Sequence, residues 1–265
     1  VLTPAQRRSP QASTQIAAVR MLKTRAAALA SMRDFFTARH FIEVETPTFA
    51  GAPSQEAHVA SFETAFHATG ITSQRLHLIT SPELYMKGLI GAGFERIYQA
   101  CHCFRNGEAS PVHSPEFTMV EWYRAYANYT EIAVDVEELV AHICRDTLDT
   151  TVLSYAGRRI DVEPPWCRIT VHDAFERFAG ICLDNCAEVD LFRAAARRTK
   201  CESIGDDDDW EDLFFKLFLE LVEPRLIELG PILITDYPAP LASLSKLKEP
   251  GGGVAERVEA YIGGL

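Results

Sequence analysis

Hydrophobic residues near the start of the chain recur at three- and four-residue steps, which places them on one face of a helix. The pattern predicts a helix from Ile16 to Arg39. Phe41–Pro47 follows at once, and its apolar and acidic residues alternate as they do in a half-buried strand. Pro47 cannot donate to a central ladder, so we expect the strand to end there or to lie at a sheet edge. Residues 48–60 are predicted to form a loop.

The central part of the chain predicts a strand, a helix and a long hairpin. The short strand Leu76–Ile79 precedes the helix Leu84–Ala92. Residues favoured at helix N-termini open that helix, namely a serine as the cap, a proline as the first helical residue and an acid beside the positive helix end: Ser81, Pro82 and Glu83. Alternating residues then predict strands over Arg96–Phe104 and Glu116–Arg124, joined by the polar loop Arg105–Ser114. The two strands would pair as an antiparallel hairpin.

The remainder of the chain is predominantly helical by pattern. The predicted segments are the helix Thr130–Thr147, a strand entering a helix over Ile169–Phe178, the helix Val189–Arg197, a helix from Trp210 to near Gly230 and the buried strand Ile232–Thr235. Val254–Tyr261 closes the chain before a glycine-rich end. Helices against antiparallel hairpins, without a repeating βαβ unit, predict an α+β fold with an antiparallel sheet flanked by helices. We assign residues 1–15 to a tail and 16–265 to one domain.

Composition narrows the function classes. With 47% hydrophobic and 24% charged residues the chain is an ordinary globular protein, and its net charge of −11 argues against broad nonspecific nucleic-acid binding. The sequence contains no run of eighteen apolar residues, so it predicts no membrane-spanning helix. Seven cysteines without a framework spacing favour a reducing compartment, so a cytoplasmic location is expected.

The N-terminal 33 residues carry six basic residues and no acid. We interpret them as a short tail before a basic surface helix rather than as a transit peptide. The basic face, which includes Arg20, Lys23 and Arg25, is a hypothetical docking surface for an acidic acceptor protein.

The hairpin is the segment with the clearest chemistry. A period of two places Gln99, Cys101, Cys103 and Arg105 on one face of the first strand, and it groups four residues of the second strand in the same way: Phe117, Met119, Glu121 and Tyr123. An arginine fork suits phosphate, and a phenylalanine ring offers a stacking surface for a base. The face therefore predicts a nucleotide site. The alternative is an apolar sheet face on which Arg105 pairs with Glu121.

The same residues resemble motif 2 of class II lysyl-tRNA synthetases. The matching segments are Phe104-Arg105-Asn106-Gly107-Glu108 and His113-Ser114-Pro115-Glu116-Phe117-Thr118-Met119-Val120-Glu121-Trp122-Tyr123. The first helix with Phe41–Pro47 resembles the dimer-forming motif 1, Ile79–Lys87 resembles the amino-acid-binding segment, and Ile234–Ala239 resembles a later strand of that domain. The resemblance runs from about residue 16 to the end and implies a class II aminoacyl-tRNA synthetase-like catalytic domain.

Within that family the sequence looks like the stand-alone paralogue that activates lysine or (R)-β-lysine and attaches it to a lysine of elongation factor P. Glu121-Trp122-Tyr123-Arg124 is similar to that branch, and only some fifteen to twenty residues precede the first helix, too few for an anticodon-binding barrel. This resemblance implies ATP and Mg²⁺, elongation factor P as the protein acceptor, a homodimer formed through the motif 1-like helix and strand, and no tRNA. Two alternatives stay open: a lysyl-tRNA synthetase catalytic core, and an inactive paralogue that binds a partner or regulates.

The resemblance also implies roles for individual residues. Arg105 would contact the α-phosphate of ATP as the catalytic residue, Phe117 would stack on adenine, and His113 would lie near the outer phosphates. The other residues implied at the ATP site are Asn106, Gly107, Glu108 and Ser114. Those implied at the amino-acid pocket are Ser81, Pro82, Glu83, Glu121 and Tyr123, with Glu83 holding an amino group and Tyr123 the amine-bearing side chain. No metal ligand is identified in the chain.

The sequence departs from the family pattern at three places. Gly107 stands where the family has an adenine-reading glutamate, and Glu108 comes one residue later. Ser114 replaces the family's usual asparagine. The family pattern continues beyond Leu265 with an acidic strand and motif 3, so we expect the given chain to be cut short of both.

Three other motifs have simpler interpretations. Cys101-His102-Cys103 lacks the four ligands of a structural zinc site, and we interpret its cysteines as buried thiols. Asp206–Asp209 lacks the alternating oxygens of a calcium loop and is predicted to cap the helix at Trp210. Gly251–Gly253 lacks a P-loop lysine and is predicted to form a loop.

Overall fold

A computed structural model describes residues 12–54, 59–67, 69, 73–110, 112–249 and 252–264, and of residues 12–17 the backbone alone. These residues form two compact units. The smaller unit comprises residues 33–127, and the larger unit comprises those up to 32 and from 128 onward. Most of the predicted tail, and Gly251 of the glycine run, lie outside the described residues. The assignment of 16–265 to one domain stays a prediction.

The first helix, α1, runs over Ala12–Ala38, close to the predicted bounds. Its residues 18–27 are all exposed, Arg20 and Lys23 among them. Its last turns belong to the smaller unit, where Phe36 is fully buried and stacks on Tyr98 with ring centroids 4.6 Å apart. Trp122 lies 5.5 Å from the same ring. The apolar stripe predicted from the sequence therefore serves as a packing face at its C-terminal end.

The strands of the smaller unit form two three-stranded sheets. They are β1 (Ile42–Glu43), β2 (Phe49–Ala50), β3 (Glu63–Phe66), β4 (Gln74–Leu78), β5 (Arg96–Phe104) and β6 (Glu116–Arg124), and the helix α2 (Glu83–Gly91) lies between β4 and β5 in the chain. One sheet has the order β1-β5-β6, with β1 parallel to β5, and the other has the order β2-β4-β3. Strands β5 and β6 have the bounds that the alternation predicts, so the predicted hairpin is confirmed.

Three predicted boundaries in this unit are wrong. The strand predicted over Phe41–Pro47 is reduced to β1, because only its first residues and the N–H of Val44 find partners on β5. Residues 49 and 50, predicted as loop, pair with β4 instead. Helix α2 begins at Glu83, and the preceding Pro82 occupies the cap position without a capping side chain. The hydroxyl of Ser81 still accepts the Glu83 N–H at 3.0 Å.

The larger unit contains the remaining elements of the fold. They are α3 (Tyr129–Leu148), β7 (Val152–Tyr155), β8 (Arg158–Asp161), β9 (Cys167–Thr170), α4 (Val171–Ala179), α5 (Val189–Ala196), α6 (Trp210–Leu217), α7 (Glu223–Leu226), β10 (Ile232–Pro238) and β11 (Val254–Tyr261). Strand β10 is the centre of a sheet, parallel to β9 and antiparallel to β11, while β7 and β8 form a separate hairpin. The mixture of helices with largely antiparallel sheets confirms the predicted α+β class. Within the described ranges, no helix has both the length and the apolar character needed to cross a membrane.

The long helix predicted from Trp210 to near Gly230 is interrupted. After α6 the backbone widens into a π-helical turn over Phe218–Val222, and α7 then begins with Pro224 in its first turn. Proline has no N–H and clashes with the carbonyl four residues earlier, which here belongs to Glu220, so a regular α-helix cannot continue through it. The apolar face is kept despite the interruption, since the rings of Phe175, Phe214 and Phe218 stack in the core.

The predicted acidic cap of α6 is confirmed. Asp209 accepts the N–H of Asp212 at 2.8 Å, and the Asp212 carboxylate accepts the N–H of Asp209 in return. We expect Asp209→Ala to lower the free energy of unfolding by about 1 kcal/mol, the usual value for a lost N-cap. Urea denaturation followed by circular dichroism measures it. Asp207→Ala removes a neighbouring exposed carboxylate and is the matched control; equal losses in the two variants would refute the capping role.

Candidate active site

The hairpin register brings the predicted chemical face together. Gln99 lies opposite Glu121, Cys101 opposite Met119 and Cys103 opposite Phe117. Residues directly opposite in an antiparallel pair share a face of the sheet, so the predicted face is confirmed. The Arg105 N–H donates to the carbonyl of Pro115 at 3.0 Å and extends the pairing one step into the loop.

One end of this face carries the cationic group. The Arg105 guanidinium lies 5.4 Å from the centre of the Phe117 ring, and its Nη1 is 3.8 Å from Glu108. Its Nε is buried and has no hydrogen-bond partner within the described part of the chain. A buried donor without a partner is costly unless a ligand satisfies it, and phosphate oxygens are natural acceptors for a guanidinium. This end of the face therefore fits the phosphate and base of a nucleotide.

The loop between β5 and β6 explains one departure from the family pattern. Gly107 has a φ of +88°, a left-handed conformation that a side chain makes unfavourable. A glutamate at this position would be strained, whereas Glu108 reaches back toward Arg105. The exposed His113 is held by Ser110 at 2.9 Å, and Ser114 is exposed beside it. Asn106 is exposed, and its N–H donates to the carbonyl of Ala60 at 2.8 Å.

The other end of the face is acidic and hydroxylic. The carboxylate of Glu121 accepts the hydroxyl of Ser81 at 2.5 Å and that of Tyr123 at 2.9 Å. Burial raises the pKa of Tyr123, and the charges of Glu121 and Glu83 raise it further. Tyr123 is thus a neutral hydroxyl between two carboxylates. Such a group of acceptors suits an ammonium ion.

The residues that begin α2 border the same acidic end. Pro82 is buried, and the carboxylate of Glu83 is paired with the ammonium of Lys87 at 2.6 Å. Glu83 can therefore hold an amine, since it already holds the amine of a lysine side chain. Glu121 is four residues beyond Phe117, about 13 Å along a strand. The two ends of the face are therefore far enough apart to contact different parts of one ligand.

The two cysteines of the hairpin, Cys101 and Cys103, lie side by side on the same face of β5. Their Sγ atoms are 3.8 Å apart, with Cys103 buried and Cys101 half-buried. The described residues contain no group of three or more His, Cys, Asp or Glu that could hold a metal ion.

A second polar cluster, which the sequence analysis did not single out, lies in the larger unit. Glu259 accepts from Arg257 at 2.6 Å and from Tyr261 at 3.1 Å, and burial together with the Glu259 charge raises the pKa of Glu223. Arg257 also lies 4.6 Å from the ring of Tyr237. Arginine, glutamate and tyrosine at alternate positions of Val254–Tyr261 were the signal that could have identified it.

Comparisons with protein families and with individual proteins both place this chain near the class II tRNA synthetases. A model of the family described as tRNA synthetases class II (D, K and N) matches residues 7–265. The lysine–tRNA ligase of Pelotomaculum thermopropionicum is 35% identical over 92% of this chain and 47% of its own length. That of Moorella thermoacetica is 36% identical over 91% and 48%, respectively. The elongation factor P–(R)-β-lysine ligase of Photobacterium profundum is 33% identical over 94% of this chain and 72% of its own length. The chain therefore spans about half the length of these lysine–tRNA ligases.

Proposed function

Since the chain belongs to the class II tRNA synthetase family (D, K and N), we propose that it activates lysine or (R)-β-lysine with ATP to form an aminoacyl-adenylate. One observation carries the proposal: a single face of the β5–β6 hairpin presents Arg105 with Phe117 at one end and Glu121 with Tyr123 at the other. An adenylate of a diamino acid needs both kinds of group, a phosphate and base site and a site for an amine.

ATP would bind at the Arg105 end. The guanidinium would donate to the α-phosphate through the Nε that has no partner among the described residues. The ring of Phe117 would stack on adenine. The hairpin loop would supply the remaining contacts through Asn106, Gly107, Glu108, His113 and Ser114.

The amino acid would bind at the Glu121 end. Glu83 would hold one amino group after Lys87 releases it, and Tyr123 with Glu121 would hold the other. Ser81 would orient the Glu121 carboxylate, and Pro82 would form part of the pocket wall. Both amine sites are acidic, which favours a substrate with two ammonium groups over one with a neutral side chain.

The chemistry needs no general base from the protein. The substrate carboxylate is ionised at pH 7, and one of its oxygens attacks the α-phosphorus as the bond to pyrophosphate breaks. Arg105 neutralises charge that develops on the α-phosphate oxygens. In the second step an acceptor nucleophile attacks the acyl carbon, and AMP leaves with the electron pair of the broken C–O bond.

Mg²⁺ fits this scheme because it binds through one or two carboxylates and substrate phosphates and keeps several waters. When bound, the ion supplies charge neutralisation to the leaving pyrophosphate. We assign no protein ligand to it.

We favour a lysine of elongation factor P as the acceptor and a homodimer formed through the motif 1-like helix and strand. The Photobacterium relative, named for that protein acceptor, and the net charge of −11 support the choice of acceptor. The lysine–tRNA ligases of Pelotomaculum and Moorella support tRNA as the second candidate. The third candidate is an inactive paralogue. Gly107 supports it, because the family has a glutamate at this position.

Pyrophosphate exchange into ATP tests the proposal with the complete gene product. We expect exchange that depends on L-lysine or on (R)-β-lysine, since the acidic end of the face is matched to diamino acids. L-Leucine and no amino acid are the controls. Radiolabelled lysine then identifies the acceptor by transfer either to elongation factor P or to tRNA. Folded protein without exchange would reject the ligase and favour the inactive paralogue.

A further inference from the structure

We propose that Cys101 and Cys103 form a peroxide-sensitive dithiol, whose oxidation to a disulfide switches off the adjoining face of the hairpin. The oxidation itself requires only the two cysteines and a peroxide. Its effect on adenylate formation rests on the proposed function.

The geometry places the two sulfurs together. Residues two apart in a strand lie on the same face, with Cα atoms about 6.6 Å apart. That separation is at the upper end of the range that a disulfide spans, and the Sγ atoms are already 3.8 Å apart. Their Cβ atoms at regular strand spacing are also about 6.6 Å apart, beyond the roughly 3.5–4.5 Å of a disulfide, so the bond requires a local contraction of β5.

Burial gives the two thiols different roles. Cys101 is half-buried and can meet a small oxidant, while Cys103 is fully buried beside it. The hydrogen bond with Cys103 lowers the pKa of Cys101, although burial opposes this effect. The same hydrogen bond and burial raise the pKa of Cys103. Cys101 is thus the thiol suited to attack peroxide, and Cys103 is its resolving partner.

The chemistry balances in two steps. The Cys101 thiolate attacks one oxygen of hydrogen peroxide, the O–O bond breaks, and the departing oxygen takes up a proton to leave as water, giving a sulfenic acid. Cys103 then loses its proton and attacks the Cys101 sulfur, so that the S–S bond forms and the hydroxyl leaves as a second water. Two electrons pass from the two thiols to the peroxide.

The location gives the oxidation a consequence. Cys103 lies opposite Phe117, and the next same-face position beyond Cys101 is Gln99, opposite Glu121. Closing the sulfurs to a bond of about 2.0 Å draws this part of β5 together and shifts the residues that face it. We therefore expect oxidation to weaken binding at the ends of the face that carry Arg105 and Glu121.

The test uses the full-length protein, treated with hydrogen peroxide and then with an alkylating reagent. Peptide mass spectrometry should show a Cys101–Cys103 disulfide that dithiothreitol reverses. Cys103→Ser should instead accumulate a sulfenic acid at Cys101 that dimedone traps, and Cys101→Ser should show neither product. Cys201→Ser, a half-buried cysteine of the larger unit, is the matched control and should behave as the wild type.

Pyrophosphate exchange is measured on the same samples. We expect oxidation to lower exchange at least tenfold, and dithiothreitol to restore it, in the wild type and Cys201→Ser but not in Cys101→Ser. Alkylation of both thiols after peroxide would overturn the proposal, and so would a disulfide that leaves exchange unchanged. If the reduced protein shows no exchange at all, the proposed function fails. The dithiol proposal is then decided by mass spectrometry alone, from the disulfide, the dimedone adduct and their dependence on each cysteine.

Discussion

Arg105→Ala should lower kcat/KM for ATP in pyrophosphate exchange by about 10²- to 10³-fold, the usual effect of removing one preorganised hydrogen-bond donor to a transition state. The guanidinium is the cation on the hairpin face, and its buried Nε has no acceptor among the described residues. Its distance of 5.4 Å to the centre of the Phe117 ring indicates that it also helps to position this ring, the proposed platform for adenine. Arg105→Ala removes the proposed phosphate contact and takes the cation away from the Phe117 ring.

Arg105→Lys keeps the charge but not the planar fork, so its kcat/KM should fall between wild type and Arg105→Ala. Arg75→Ala is the matched control, because that arginine is exposed in the same unit and lies 3.8 Å from Glu63. Thermal unfolding of each variant shows whether it is folded. A folded Arg105→Ala protein with exchange within twofold of wild type would remove the α-phosphate role.

Glu121→Gln should raise the KM for the lysine substrate by about 10- to 100-fold, corresponding to the 1.5–3 kcal/mol of a hydrogen bond to a charged group. The carboxylate accepts hydroxyls from Ser81 and Tyr123, whereas an amide offers only one oxygen and no negative charge. In the proposed pocket the substrate ammonium would then lose its counter-charge. We expect the KM for ATP to change little, because Glu121 lies at the opposite end of the face from Arg105.

Tyr123→Phe removes a single neutral hydrogen bond and should raise the lysine KM only severalfold. Glu116→Gln is the matched control, since Glu116 is exposed on the same strand and pairs with His102. Initial rates at varied lysine and ATP separate the two KM values. An equal rise in both, or a rise as large in Glu116→Gln, would contradict a specific amine site at Glu121.

Local pattern was sufficient to predict the hairpin and the residue types that share its face. The bounds of β5 and β6 were predicted correctly because each strand has nine residues beside a polar loop. Only one register of the two strands places Arg105, Phe117, Glu121 and Tyr123 on the same face of the sheet. The cap at Asp209 was also predictable, since capping involves residues three apart in the chain. The order along the face follows from the same period of two.

Contacts between segments that are distant in the chain could not be predicted from the local sequence pattern. The Ser81–Glu121 hydrogen bond joins residues 40 positions apart, and the parallel pairing of β1 with β5 depends on where the chain returns. Residues 49 and 50 have no alternation of their own, yet they are a strand because β4 offers them partners. The break at Phe218–Val222 could have been anticipated from Pro224, but the hydrophobic spacing continues across it and hid the interruption.

The sequence by itself determined which residue types lie on the β5–β6 face, because side-chain direction in a strand is set by the covalent geometry of the backbone. Only the tertiary structure decided how deeply these residues are buried and which hydrogen-bond partners they have. Folding left the Nε of Arg105 without a partner in the described residues, joined Glu121 to two hydroxyls and brought two sulfurs to 3.8 Å. The reason is physical: burial and hydrogen bonding depend on every segment packed around a group, and no local spacing encodes them.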